Sequence, residues 1–312
     1  MKSSKNADSR NSYKIVCIAA LLLLFATAAW AEEKGGKNWM GIPDILQLPR
    51  VWVGAIFCLI GLVLLAKSKV RRNLRLACLF VIFFAFAVFA FLPLGSFAMG
   101  MGLHPSPLCS ITKPFLFMER GMSPPIIFWV ILGTIALYTL VGNKLFCGWV
   151  CPIGAAQEIF NRVPLPGRGK VTLPFKATNP IRIIIFIAFF PLLFVLGINT
   201  YDYFNPFEFI HWGFQTMTIV VFAVTMIAAI FVFRPFCYLI CPIGLFTWVL
   251  EHLSLAKVKV DNERCTSCGI CVDESHCPAV RAILDERWSR PDCHACGRCM
   301  ELCPEDALKF RN

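Results

Sequence analysis

The sequence is poor in charged residues and lacks the motifs of the common catalytic sites. Only 16% of the 312 residues are Asp, Glu, Lys or Arg, whereas about a quarter is usual in soluble domains. No Ser/His/Asp grouping, phosphate-binding glycine loop or paired-carboxylate site is visible, which argues against acyl transfer, nucleotide binding and glycoside hydrolysis. A basic face with interleaved aromatic residues is also missing, so we expect no nucleic-acid partner.

The sequence is instead rich in long apolar runs. Hydrophobic residues make up 57% of the chain, and the mean hydropathy is +0.67, above the norm for soluble proteins. A helix needs about 20 apolar residues to cross the hydrocarbon layer. Six runs before residue 250 predict membrane spans at 15–31, 51–66, 76–95, 126–142, 181–199 and 216–233. Without a comparable polar partner surface, six such runs disfavour the core helices of a soluble protein.

The first apolar run has two interpretations. Segment 1–31 begins with basic residues, continues with an apolar stretch and ends in Ala29-Trp30-Ala31. This is the pattern of a signal peptide with its cleavage site, and a retained membrane anchor would share most of it. We favour cleavage, and either outcome places residue 32 outside the cytoplasm.

Basic residues are concentrated in alternate loops. Loops 67–75 and 144–182 are rich in Lys and Arg, whereas loop 96–125 holds two basic residues and loop 200–215 holds none. Loops with an excess of Lys and Arg stay in the cytoplasm. The net charge of +11 is thus explained by topology. The pattern predicts a multi-pass protein of the bacterial inner membrane, surrounded by lipid, with a cytoplasmic C-terminal tail.

The tail, residues 251–312, holds eight of the sixteen cysteines in two runs. Two runs of this kind are the signature of a bacterial-type ferredoxin with two [4Fe–4S] clusters, in which the fourth cysteine of each run ligates the other cluster. The first run is Cys265-x2-Cys268-x2-Cys271-x5-Cys277-Pro, and the second is Cys293-x2-Cys296-x2-Cys299-x3-Cys303-Pro. The predicted ligands are Cys265, Cys268, Cys271 and Cys303 for cluster 1, and Cys293, Cys296, Cys299 and Cys277 for cluster 2.

Zinc is the alternative to iron at these thiols, with His276 and His294 nearby. Zinc sites usually use two separated Cys-x2-Cys pairs, or cysteine together with histidine, so the triple runs favour clusters. The gap before Cys277 is two residues longer than the standard run, and we expect the extra residues to bulge outward. A cytoplasmic location keeps the thiols reduced and available for iron.

A second cysteine motif occurs twice in the apolar part. Segment 146–154, FCGWVCPIG, returns 90 residues later as FCYLICPIG at 236–244. The prolines should break the helix near Cys151 and Cys241, and they suit the first turn of the amphipathic stretch that follows. Cys147 and Cys237 lie four residues earlier, on the same helix face if the turn stays helical. Repeated halves usually meet around a site between them.

The sequence leaves three interpretations of this repeated motif. All four thiols could converge on a third iron–sulfur cluster at the membrane surface. Each pair could instead be a redox-active dithiol, although Cβ atoms about 5–6 Å apart in an intact helix are too far apart for a disulfide. The cysteines could also simply pack between helices, but the repetition together with Pro-Ile-Gly argues against this interpretation.

The combination of apolar spans, a duplicated Cys-x3-Cys-Pro and a double ferredoxin tail resembles the NapH/NosR group of membrane ferredoxins, which includes the MauN type and the assembly factor CcoG. The resemblance covers about residues 50–312 and includes the four repeat cysteines and the eight tail cysteines. It implies a mainly α fold: a bundle of five or six spans at 32–250, followed by an α+β ferredoxin domain at 251–312. Only residues 32–50 precede the second span, which resembles the short NapH type more than NosR with its periplasmic flavin domain.

The resemblance implies electron transfer between the quinone pool or a cytoplasmic donor and a periplasmic reductase system. The predicted function is therefore single-electron relay beside other redox subunits, as in a quinol dehydrogenase component. Since a quinol must lose protons, His104 and His211 are the candidate residues of a quinone site. The alternatives are a maturation factor that reduces a metal or thiol during cofactor insertion into another enzyme, and an iron–sulfur redox sensor.

Overall fold

The computed structural model describes residues 41–92, 95–102, 105–164, 169–287 and 290–311. The predicted signal peptide or anchor at 1–31, with its span at 15–31, lies outside the described residues. The quinone candidate His104 also lies outside them. Within the described ranges the chain is mainly helical, with one small sheet near its C-terminus.

Long and short helices alternate through the first 250 residues. They are α1 Ile42–Leu46, α2 Pro49–Ala66, α3 Arg72–Ala87, α4 Gly95–Gly102, α5 Pro107–Glu119, α6 Ile126–Gly142, α7 Leu145–Trp149, α8 Pro152–Asn161, α9 Phe175–Leu196, α10 Thr200–Tyr203, α11 Phe207–Ile210, α12 Thr216–Phe231, α13 Pro235–Leu239 and α14 Pro242–Glu251. A 3-10 turn at Phe89–Phe91 follows α3.

Two of these helices, α2 and α9, are long and apolar enough to cross a membrane, by length and composition. Helices α6 and α12 are also apolar but have only 17 and 16 residues. All four coincide with predicted spans, although α9 begins before residue 181. The predicted span 76–95 is wrong at its end, because α3 stops at Ala87 and the chain turns at Phe89–Phe91. Of the five or six predicted spans, α2 and α9 meet the length that a crossing needs.

Several of the apolar helices leave large side chains exposed. The exposed fraction of the side chain is 61% for Leu59 on α2, 79% for Val195 on α9 and 60% for Val224 on α12. Each apolar side chain left in water costs about 25 cal/mol per Å² of exposed surface. Contiguous apolar faces of this kind are typical of contact with lipid or with a protein partner.

The two copies of the repeat fold alike. In each copy an apolar helix, α6 or α12, leads into a short helix and then into a helix that begins at the proline of Cys-Pro. Cys151 and Cys241 cap α8 and α14 with the same backbone angles, φ −64° and ψ 116°. The predicted helix break near these cysteines is confirmed. Lys144 and Arg234 form a further break before α7 and α13, since both have left-handed backbones.

Helix α8 is buried on almost every side. Residues 152–158 and Asn161 are all buried, and the helix packs against α3 and α12. The stretch after Cys-Pro in the first copy has the predicted amphipathic pattern, but its polar side is buried in the protein. Its polar side chains, Gln157 and Glu158 among them, bond to other parts of the protein instead of facing water.

The tail consists of three short helices and a two-stranded antiparallel sheet. Val260 of the first strand pairs with Leu308 of the second. Strand residues such as Val258 share one hydrophobic core with Leu65 of α2 and Trp149 of α7. The tail is thus packed against the helical part through a common core. Its elements are β1 Lys257–Val260, α15 Ile270–Asp273, α16 Pro278–Leu284, α17 Arg298–Glu301 and β2 Leu308–Arg311.

Candidate metal centres

The thiols predicted for cluster 1 line a single cavity of about 400 Å³ near the surface of the tail. They are Cys265, Cys268, Cys271 and Cys303. The thiol of Cys271 interacts electrostatically with the other three. The backbone amide of Ala307 donates a hydrogen bond to Cys303 Sγ at 3.3 Å, a type of contact that tunes the potential of a cluster. Four thiols around an open space fit a multi-iron cluster.

The thiols predicted for cluster 2 form a second and more deeply buried group. The thiol of Cys299 interacts electrostatically with those of Cys277, Cys293 and Cys296. Burial raises the pKa of Cys293 to about 11, because a thiolate is poorly solvated there, and a bound metal cation would reverse this preference. Cys299 also interacts with Cys271 of the first group, so the two groups are neighbours.

The two cysteine runs adopt the same turn. Gly269 and Gly297, each directly after the second cysteine of its run, have φ of 78° and 77°. Ser267 and Ala295, directly before that cysteine, also lie in the left-handed region, with φ of 57° and 45°. Only glycine adopts such angles without steric cost. The shared turn explains how three thiols of each run reach one side of a loop.

The longer gap before Cys277 bulges outward only in part. Asp273 and Glu274 are exposed, as expected, but Ser275 is fully buried. Its hydroxyl accepts a hydrogen bond from the backbone amide of Cys277 at 3.2 Å. His276 takes up the extra length with a left-handed φ of 51°. Ser275 therefore anchors Cys277 beside its partners.

The two nearby histidines contact other protein groups, and the ring of His276 lies 3.1 Å from the carbonyl of Glu274. His294 is buried, and its ring packs edge-on against Tyr238 and Phe233. Burial holds the pKa of His294 well below its usual range, so the ring is neutral. Among the residues that the structure describes, no three His, Cys, Asp or Glu side chains are close enough to hold one metal ion.

The four cysteines of the repeat lie together although their two pairs are 90 residues apart. The four are near neighbours, because burial raises the pKa of Cys147, Cys151 and Cys241, and a thiolate at Cys237 would raise the pKa of each of them further. Each repeat supplies one thiol from its short helix and one from the cap of the next helix: Cys147 and Cys151, and Cys237 and Cys241. None of the four is in a disulfide. The predicted convergence of the two copies is thus observed.

Loop 292–295 of the tail, which contains Cys293, contacts both copies of the repeat. Asn143 and Trp149 of the first copy and Tyr238 of the second donate hydrogen bonds to backbone carbonyls of this loop at 2.7–2.9 Å. Because carbonyls accept bonds from both copies, the loop is held at their junction. The second group of tail thiols is therefore fixed relative to the repeat.

Gly148 provides the closest approach between the repeat and the tail. A Cβ atom at this position would collide with the backbone carbonyl of His294. The equivalent position in the second copy is Tyr238, whose hydroxyl bonds to the carbonyl of Asp292. The third position of the motif differs between the copies, and both residues at that position, Gly148 and Tyr238, contact loop 292–295.

A network of buried ion pairs surrounds the repeat cysteines. Glu158 pairs with Arg75 at 2.9 Å and with Arg234 at 2.6 Å, while Lys144 and Arg182 both pair with Asp292. The fully buried cations of the network are Arg75, Lys144, Arg182 and Arg234. The buried carboxylates beside them are Glu158, Glu251 and Asp292. Buried charges of this kind need partners to offset lost hydration.

This network was missed by the sequence reasoning, which treated Arg75, Lys144 and Arg182 only as loop charges that set orientation. The structure buries all three. Burial lowers the pKa of Lys144 to about 8, although Glu251 opposes that shift. The signal available in the sequence was Glu158, the single acidic residue between positions 144 and 182, since an isolated acid in an apolar region usually has a cationic partner.

A cavity of about 100 Å³ lies beside the first copy of the repeat. Its wall is largely apolar and includes Phe146 and Pro152 of the cysteine motif. It also includes His211, one of the two predicted quinone-site residues, and Arg50. Arg50 donates a hydrogen bond to the carbonyl of Pro105 at 3.1 Å. Sequence reasoning missed Arg50, whose signal was a single cation at the start of an apolar run.

Comparison with protein-family models gives three matches. A model described as "4Fe-4S binding domain" matches residues 123–174 and again 214–260, so each match contains one copy of the repeat. A further model with the same description matches residues 288–309, the second cysteine run of the tail. No solved structure matches the chain.

Three curated proteins show the range of similarity. The chain is 30% identical over 185 residues to ferredoxin-type protein NapH of Escherichia coli, covering 55% of this chain and 63% of NapH. It is 27% identical over 192 residues to methylamine utilization ferredoxin-type protein MauN of Methylorubrum extorquens, covering 57% and 63%. It is 25% identical over 201 residues to regulatory protein NosR of Stutzerimonas stutzeri, covering 58% and 26%.

Each of these matches spans less than two thirds of the relative. The family models match both copies of the repeated motif and the second cysteine run of the tail. By these similarities, the chain resembles the NapH-type ferredoxin proteins.

Proposed function

We propose that this protein relays single electrons between the quinone pool, or a cytoplasmic donor, and a respiratory reductase system across the membrane. The ferredoxin-type relatives and the 4Fe-4S family models support the electron-transfer role. The observation that carries the relay is the contact of loop 292–295 with both copies of the repeat. A continuous packed connection between the tail and the apolar part supports a short path for electrons.

Two [4Fe–4S] clusters are the proposed cofactors of the tail, held by the two groups of four thiols. Such a cluster would supply reversible one-electron transfer. The protein's own contribution is positioning and solvation. The turns at Gly269 and Gly297 aim the thiols, the amide of Ala307 donates to Cys303 Sγ, and burial keeps water from the second group.

The apolar cavity beside the first repeat is the proposed binding site for a lipid-soluble electron donor such as a quinol. An apolar wall suits a ring, and a few polar groups are enough to orient it. His211 in the wall can accept a proton when the quinol is oxidised. Phe146 and Pro152, on the same wall, belong to the segment that carries Cys147 and Cys151, so the cavity adjoins the repeat thiols.

The proposed location is the bacterial inner membrane, with the tail in the cytoplasm. Helices α2, α3, α6, α9 and α12 would be the spans of the described part, and the segment 1–31 would add a sixth if it is retained. The exposed apolar faces of α2, α9 and α12 support this. Alternating basic loops support the orientation. Reporter fusions after residue 311 should therefore be active only as cytoplasmic reporters.

Quinol-driven reduction tests the relay. The anaerobically purified protein, reconstituted in lipid vesicles, should lose visible absorbance when a quinol is added. His211→Ala should slow this reduction about 100-fold, the usual contribution of a positioned acid or base. Glu119→Gln is the matched control, because Glu119 is not part of the cavity wall. Equal rates for both variants would contradict the assignment of the cavity.

The same preparation separates the relay from its alternatives. Clusters that are reduced by a chemical reductant but never by quinol would favour the cytoplasmic donor. Reduction of bound copper or of a protein thiol without quinol would favour the maturation role. A change in partner affinity on reduction, with no electron passed to any acceptor, would favour the redox sensor.

A further inference from the structure

The thiols of the two repeats come from equivalent positions of the two copies and lie near one another. Cys147 and Cys237 occupy equivalent positions in α7 and α13, and Cys151 and Cys241 cap the following helices with identical backbone angles. Cys147 and Cys241 belong to one packed core, and Cys151 packs against it. Cys237 is contacted by Gln157 of the first copy, and a thiolate at Cys237 would add to the rise that burial causes in the pKa of the other three thiols. Neither copy has a complete set of four ligands without the other.

Polar groups from each copy reach the sulfur atoms of the other. Gln157 Nε2 lies 3.5 Å from Cys237 Sγ, and Thr247 Oγ1 lies 3.9 Å from Cys147 Sγ. Gln157 and Thr247 are themselves equivalent, each six residues after the Cys-Pro cysteine of its copy. A donor such as the Gln157 amide orients a ligand thiolate and tunes the group that it binds, whereas the Thr247 hydroxyl also donates to the carbonyl of Ile243 at 2.8 Å. Packing alone would not require such reciprocal contacts.

The four repeat thiols are surrounded by cationic side chains. Arg234 donates to the backbone carbonyl of Cys147 at 2.7 Å, and Arg182 donates to that of Cys237 at 3.1 Å. Lys144 donates to the carbonyl of Gly244 at 2.9 Å. The fully buried cations of this region outnumber the fully buried carboxylates by four to three. A further anionic group between the repeats would offset this surplus.

The spacing of the repeat thiols indicates which kind of metal group they can bind. The two thiols of each copy lie four positions apart in the sequence, a spacing of about 5–6 Å between Cβ atoms on a helical turn. The four thiols are free rather than bridged. An iron–sulfur cluster accepts thiolates at wider spacing and remains net negative with four of them, which suits the surrounding cations.

We propose that Cys147, Cys151, Cys237 and Cys241 together bind one iron–sulfur cluster, shared between the two repeats. This cluster is a third centre, in addition to the two of the tail. The two 4Fe-4S family matches on the repeat then describe two halves of one site. Its use as a step in the relay rests on the proposed function, whereas its existence as a metal site can be tested separately.

Iron and acid-labile sulfide counting on the wild-type protein is the first test. Full-length protein purified anaerobically should contain about twelve irons per chain, corresponding to three four-iron clusters, or about ten if the third centre is a two-iron cluster. A count of eight with two fully formed tail clusters would overturn the proposal. This measurement needs no variant, so a folding failure cannot obscure it.

A double substitution tests the ligands. Cys147→Ser with Cys237→Ser should lose only the iron and sulfide in excess of about eight per chain, and the EPR signals of the two tail clusters should persist. Cys109→Ser is the matched control, since Cys109 is a buried cysteine of α5 outside this group. It should keep the full iron content. Unchanged iron in the double variant would overturn the assignment.

The outcomes separate this inference from the relay function. Twelve or ten irons that no quinol reduces would uphold the third centre and contradict quinol-driven relay. Eight irons that quinol reduces rapidly would uphold the relay and overturn the third centre. Rapid disulfide formation between the repeat thiols in the wild-type protein, with no extra iron, would replace the cluster by a dithiol.

Discussion

The tail and the repeat assemble their cysteines in opposite ways. In the tail, three thiols of each group come from one loop with two-residue gaps, and only the fourth comes from the other run. In the repeat, each copy supplies two thiols, and the copies are 90 residues apart. The tail groups thus depend mainly on local turns, such as those at Gly269 and Gly297. The repeat group depends on the packing of two halves.

Exposure and charge differ as well. Cys268 of the tail is exposed, so a partner protein can approach the first group. The repeat thiols are largely buried among Lys144, Arg182 and Arg234. The repeat thiols can be approached by a small molecule in the adjoining cavity or by the tail itself. In the proposed relay, the repeat would therefore exchange electrons within the protein and the tail would exchange them with partners.

Loss of a tail ligand should have the largest effect. Cys296→Ser removes one ligand of the second group, so we expect loss of about four irons per chain and of that cluster's EPR signal. Cys109→Ser should leave both unchanged. A variant that retained its full iron content and spectrum would show that Cys296 is not a ligand and would break the assignment of the tail groups.

Glu158→Gln should cause the largest loss of stability in the repeat. The change leaves the buried guanidinium groups of Arg75 and Arg234 without their carboxylate, which typically costs about 3–5 kcal/mol. Thermal unfolding in detergent measures the effect. Glu119→Gln, at a partly exposed position, should stay within about 0.5 kcal/mol of wild type. Equal stability of the two variants would contradict a structural role for the buried network.

Gly148→Ala tests the junction between the tail and the repeat. The added methyl group would collide with the carbonyl of His294, and overpacking of this kind costs about 1–3 kcal/mol. Limited proteolysis should release the tail faster than in wild type. At the equivalent position Tyr238→Phe removes one hydrogen bond, worth about 0.5–1.5 kcal/mol. If the alanine variant were as resistant as wild type, the close contact would be wrong.

Arg287→Gln should have the smallest effect. Arg287 pairs with Asp285 at 2.7 Å, but the two side chains are 63% and 43% exposed. Exposed pairs of this kind contribute about 0–1 kcal/mol. Thermal unfolding should therefore barely change, in contrast to Glu158→Gln. A large loss here would mean that the surface of the tail, rather than its buried junction, determines stability.

Features that depend on local sequence could be predicted for this protein, whereas features that depend on packing between distant segments could not. The tail ligand groups were predictable because spacing along one loop determines which thiols meet. The break at Cys151 and Cys241 was predictable from the prolines that follow. The buried pairing of Arg75 with Glu158 was not, because residues 83 positions apart meet only after the helices pack. The burial of α8 was also not predictable, because polar residues on one side of a helix usually indicate contact with water.

Prediction of the apolar helices shows a similar limit. Apolar runs predicted α2, α6, α9 and α12 well, because composition alone decides whether a segment is apolar. The end of α3 was misplaced, because an apolar run does not reveal where the chain turns. Arg50 was missed because its place in the cavity wall depends on its position relative to His211, which no local pattern reports.

The most direct test of the account is a reductive titration of the anaerobically purified protein, followed by visible absorbance and EPR. The account predicts bound iron, reversible bleaching and the uptake of about one electron per cluster, with at least two clusters per chain. Protein that is folded and intact but binds no iron, or binds iron that takes up no electrons, would contradict it.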